Sequence, residues 1–111
     1  MRSLPKVQTL KEAVRAVIES NKGDDYPPTR FIQATANGDR PDLPSVCDRL
    51  IVKGETLEYL ESALRQFPTL LTLEDFVSEN GVTWGFSQDT IKSARARAEY
   101  FDMIAGATRY K

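Results

Sequence analysis

TLEDFVSENGVTWGFSQDTIKSARARAEYFDMIAG, residues 72–106, holds two helix signatures and no strand signature. Thr72 precedes Leu73, Phe76 and Val77, and Glu74 and Asp75 fall in the first turn, where negative charge suits the positive end of the helix dipole. Asn80 and Gly81 supply a stop. Ser87 is a second cap, and Ile91, Ala94, Ala98, Phe101 and Ile104 or Ala105 follow along one side of a long helix over residues 88–105, ended by Gly106. The link at 82–86, VTWGF, is short and split by glycine, so it reads as an extended connection.

The same grammar runs upstream. Thr9 and Glu12 stand at capping-box spacing, and Leu10, Ala13, Val14, Val17 and Ile18 recur at 0, 3, 4, 7 and 8 before Lys22 and Gly23. Thr29 is expected to cap a short helix over 30–36, stopped by Asn37 and Gly38. Asp42 is expected to cap the next, with Pro44 in its first turn and Leu43, Val46, Cys47, Leu50 and Ile51 inside. Leu57, Leu60, Leu64 and Phe67 define a helix over 55–66 that Pro68 closes. No stretch alternates at period two for long enough to make a strand. The expected fold is all-α: a compact bundle of about six short helices with steep crossings. Residues 1–111 form one domain in this reading, with loosely ordered ends at 1–8 and 107–111. Leu4, Val7, Leu70 and Leu71 belong to no stripe, and either burial in the monomer or pairing of two chains accounts for them.

Composition narrows the function classes. The chain has no histidine, which removes the commonest general base, metal ligand and neutral-pH switch together. Fifteen basic and sixteen acidic residues leave a net charge of -1, whereas nucleic-acid coats and membrane-surface proteins are usually strongly basic. The single cysteine, Cys47, cannot staple its own chain, which fits a reducing compartment. No apolar run approaches the roughly 18–20 residues that span a bilayer, and residues 1–10 lack the apolar stretch of a secretory signal. A cytoplasmic protein without membrane contact is expected.

Few residues invite chemistry. Asp24, Asp25, Asp39 and Asp42 cluster around two loops, but they lack the spacing of a calcium loop and sit where Asp serves turns and caps. No metal and no cofactor are expected. Cys47 lies inside an apolar stripe with no histidine to activate it, so it reads as a small core residue. Among Tyr26, Trp84, Phe86, Tyr100 and Tyr110, Trp84 stands out in its irregular linker, as a plug between diverging helices or as a binding anchor.

Residues 72–97 resemble a helix-turn-helix motif, carried by Phe76, Val77, Gly81 and Val82 followed by a helix with Gln88, Lys92, Arg95 and Arg97 outward. The resemblance implies DNA binding, with the basic groups on phosphates and Gln88 near base edges. The linker is several residues longer than the motif's usual turn, and Glu74, Asp75 and Glu79 would repel the DNA backbone.

Residues 54–80 carry six acidic groups and one basic group, a dipolar surface suited to steering a protein partner. The leading expectation is therefore a non-enzymatic protein-binding accessory or regulatory module that uses Glu55, Glu58, Glu61 and Trp84. The helix-turn-helix DNA binder comes second. An enzyme working with carboxylates or lysine alone comes last.

Overall fold

Helix boundaries follow the capping chemistry closely. The computed structural model describes residues 3–23, 28–54 and 57–110. Within them the chain forms α1 (Leu10–Gly23), α2 (Thr29–Thr35), a 3₁₀ turn (Ala36–Gly38), α3 (Leu43–Lys53), α4 (Leu57–Gln66), α5 (Leu73–Asn80) and α6 (Gln88–Ala105), and no strand among those residues. Among the described residues the fold is all-α, with six helices, as the periodicity requires.

Three predicted caps form as expected. The Glu12 N–H donates to Thr9 Oγ1 at 3.2 Å, and the Glu12 carboxylate accepts from the Gln8 N–H, one residue ahead of the cap. Thr72 and Asp75 make a complete reciprocal box. Ser87 accepts from the Thr90 N–H at 3.2 Å.

Others differ. The Asp42 carbonyl accepts from Val46 N–H at 3.1 Å, but its side chain does not cap α3, because Arg40 claims the carboxylate through Nε at 2.9 Å and Nη2 at 3.1 Å. Thr29 lies inside α2 and Pro28 occupies the position ahead of it. Ala36 and Asn37 both take left-handed geometry, so α2 ends one residue early and passes into the 3₁₀ turn.

The stripes are the core. Val14, Val17, Ile18, Leu43, Val46, Cys47, Leu50, Ile51, Leu73, Phe76, Val77 and Ala94 bury in one cluster that joins α1, α3, α5 and α6. Leu60, Ala63, Leu64, Leu70 and Phe101 form a second cluster between α4 and α6. Leu70 and Leu71 are buried, and Leu4 and Val7 pack against the main cluster, so all four are used within the monomer. A radius of gyration of 12.5 Å matches the roughly 13 Å expected of a folded chain this long.

Cys47 is fully buried, and burial pushes its thiol up to about 12. A chromogenic thiol reagent at pH 7.5 is expected to leave the native protein unmodified and to react at once with the urea-unfolded chain. Reaction of the native form at the rate of a free peptide thiol would refute this burial.

Candidate functional site

The α5–turn–α6 unit begins at the Thr72–Asp75 box. The connection at 82–86 is a turn rather than the extended link expected. The Trp84 N–H donates to Asn80 O at 3.1 Å, Gly85 N–H to Val82 O at 3.1 Å and Phe86 N–H to Gly81 O at 2.9 Å. The left-handed residue is Gly85, at φ +81°, and Gly81 keeps right-handed helical geometry. What demands glycine at 81 is space. A Cβ there would meet Val77 O at 2.5 Å and Ile91 Cγ1 at 2.7 Å, so α5 and α6 touch at this point.

Ile91, Ala94 and Phe101 hold α6 in the core, and the Thr90 hydroxyl donates to the Asp48 carboxylate of α3. Gln88, Lys92 and Arg95, at 0, 4 and 7 along the helix, stand exposed on one side. Further along the outer face, Tyr100 and Met103 are 39% and 78% exposed.

Arg97 does not join them. Its side chain is 20% exposed, with Nη1 3.9 Å from Glu74 Oε2 and Nη2 donating to Val52 O at 3.4 Å. Position 97 lies three residues after Ala94 and four before Phe101, at the inner edge of the buried stripe, so an outward reading of it was wrong.

Two of the six carboxylates expected to form an acidic surface over α4 and α5 are buried. Glu74 and Asp75 are 2% and 5% exposed. Glu79 is exposed on α5, as is Glu58 on α4, while Glu61 is half-buried and Glu55 lies outside the described residues. Trp84 is half-buried against the main core cluster, and its indole N–H donates to Gln8 O at 3.1 Å. It works as the plug, tying the turn to the N-terminal lead.

Two buried carboxylates follow from α5 being packed against α1, α3 and α6. Asp75 accepts from Thr72 N–H and Oγ1 and from both Nη1 and Nη2 of Arg109, at 2.7–3.0 Å. Arg109 also donates through Nε to Asp102 at 2.9 Å and through Nη1 to Leu70 O at 2.8 Å, and lies 5.8 Å over the Phe101 ring. Burial pushes the Asp75 carboxyl up from its ordinary value, and the Arg109 fork and the Thr72 donors pull it back.

Glu74 is different. Its nearest cation among the described residues is Arg97, beyond hydrogen-bonding reach, and burial raises its carboxyl to about 7. It lines a small, partly open cavity of about 20 Å³, room for about one water, with Asn21, Tyr59, Thr72 and apolar neighbours.

Sequence reading missed Arg109 altogether, since a lone arginine in a short tail carries no periodic signal. Of the aspartates expected in turns, Asp39 bonds Lys11 Nζ at 2.8 Å and Asp42 bonds Arg40, while Asp24 and Asp25 lie outside the described residues. Among the described residues no three or more metal-binding side chains come together, and no helix is long and apolar enough to cross a membrane.

Compared with protein-family models, curated proteins and solved structures, the chain matches none.

Proposed function

We propose that this protein binds duplex DNA and that the N-terminal half of α6 enters the major groove. The observation that carries the reading is the exposed row Gln88, Lys92 and Arg95 on a helix held by α5 through the Gly81 contact. Lys92 and Arg95 suit phosphates, and Gln88, in the first turn, suits a base edge. Arg97 bonding to Val52 sets the last turn of α3, with its exposed Lys53, beside the middle of the same helix. The charge objection to this reading weakens, because two of the three carboxylates counted against it, Glu74 and Asp75, are buried and face arginines. The same burial takes two of the six carboxylates from the acidic docking face, while Glu58 and Glu79 stay exposed.

The test is a shift assay on random-sequence duplex at several salt concentrations, with wild type beside Lys92→Ala/Arg95→Ala. Wild-type affinity is expected to fall as salt rises. The double variant should bind more weakly and lose about 1.8 from the slope of log K against log salt, about 0.9 per lost phosphate contact. Binding that is absent at low salt, or indifferent to salt, overturns the reading.

A protein partner is the second reading, favoured by Tyr100 and Met103 on the outer face of the same helix. Aromatic residues and methionine are enriched in interface cores. In that case Met103→Glu releases a partner retained from native lysate, and Lys92→Ala/Arg95→Ala retains it. An acid-base enzyme is the weakest reading, since Glu74, the carboxyl raised to about 7, is almost wholly screened from any substrate.

A further inference from the structure

Glu74 and Arg97 form a half-made ion pair inside the protein. Glu74 is buried and Arg97 largely so, yet they stand 3.9 Å apart, too far for a hydrogen bond. Arg97 Nη1 is buried with no hydrogen-bond partner among the described residues. Its Nη2 is held by Val52 O at 3.4 Å, over the glycine that ends α3, where a Cβ on Gly54 would meet Nη2 at 2.8 Å. Arg97 is therefore wedged where α3, α5 and α6 meet.

The groups facing Glu74 are few. Asp75, its own neighbour on α5, opposes its ionisation, while Arg97 from α6 and Arg109 from the C-terminal segment favour it. Across the cavity, α1 offers the Asn21 amide, α4 the Tyr59 hydroxyl and α3 only Leu50 and Ile51. Asn21 Nδ2 is already committed to Val17 O at 2.8 Å, and Tyr59 bonds Asn21 Oδ1 at 3.3 Å. The Glu74 carboxylate gains a backbone hydrogen bond within its own residue, and this offsets only part of what burial costs its charge.

We propose that Glu74 is a proton-operated latch at the junction of α3, α5 and α6, closed when the side chain is a neutral acid and loosened when it ionises. A neutral carboxyl is tolerated beside an apolar cavity, whereas a carboxylate there demands water or a closer Arg97. Either response moves the joint that positions α6.

The sign follows from linkage. Burial holds the native carboxyl near 7 against an ordinary value of 4.5, so the folded chain keeps a proton that the unfolded chain has released. The contribution of Glu74 to stability is fully present below the ordinary value and is lost as pH rises through the native one. The absence of histidine leaves this range clear of the usual side-chain titrations. Cys47 adds its own loss only as pH nears the ordinary thiol value, about 8.5, since its buried thiol is raised.

The experiment is urea unfolding at steps from pH 5.5 to 8, with wild type beside Glu74→Gln. For the wild type the unfolding equilibrium constant is expected to rise about 25-fold across this span. Glu74→Gln should remove that rise and leave only the smaller dependence that the raised carboxyl of Asp75 adds. If that variant does not fold, carbon-13 NMR of the wild-type glutamate carboxyls gives the same answer, with one resonance titrating close to neutrality. Parallel profiles for the two proteins, or no glutamate titrating above pH 5.5, overturn the latch.

Discussion

Arg109→Ala is expected to destabilise the protein by about 3–5 kcal/mol, the loss typical when one partner of a buried ion pair is removed. The Arg109 side chain is 2% exposed and serves Asp75, Asp102 and the Leu70 carbonyl together. Truncation leaves the Asp75 carboxyl buried without its fork, and frees the C-terminal segment that Arg109 fastens over Phe101. The cost therefore exceeds the 0–1 kcal/mol of a surface pair. Urea unfolding at constant pH measures it, with Arg95→Ala as an exposed control that should shift stability by less than about 0.5 kcal/mol. The paired change Asp75→Asn/Arg109→Met should recover part of the loss, because it removes the orphaned carboxyl as well. A loss below about 1 kcal/mol for Arg109→Ala would show that the network contributes no more than a surface contact.

Gly81→Ala is expected to cost about 2–3 kcal/mol by overpacking. The direction opposes simple propensity. Gly81 has right-handed helical geometry, where alanine ordinarily gains about 0.5–1 kcal/mol over glycine. The new methyl would lie 2.5 Å from Val77 O and 2.7 Å from Ile91 Cγ1, and a backbone oxygen cannot swing aside. Gly106→Ala supplies the contrast. Nothing lies within 4 Å of a Cβ there, so its cost is left-handed strain alone, φ +82°, about 1 kcal/mol. Thermal unfolding of the two variants should rank Gly81→Ala well below Gly106→Ala, and the reverse order would remove the close contact as the reason for Gly81.

These glycines mark how far sequence reading reaches. Both read as helix stops, and both do follow a helix. Only Gly106 has the left-handed geometry that a stop implies. Gly81 is glycine because another helix lies against it, and Ile91 is ten residues away along the chain. The candidate DNA face divides in the same manner. Gln88, Lys92 and Arg95 were legible as outward because one residue's angle around a helix follows from its number. Arg97 sits at the stripe's edge, where the neighbouring end of α3 settles whether it faces water or protein.

By itself the sequence determined the six helices, their apolar stripes and the caps at Thr9, Thr72 and Ser87, because these depend on residues within about one helical turn of each other. The tertiary structure alone decided which charges are buried. Asp75 meets Arg109 from 34 positions away, and Glu74 meets Arg97 from another helix. A short helix packed on three sides buries its polar flank along with its apolar one. No local periodicity announces that, because the burial comes from helices brought together by folding.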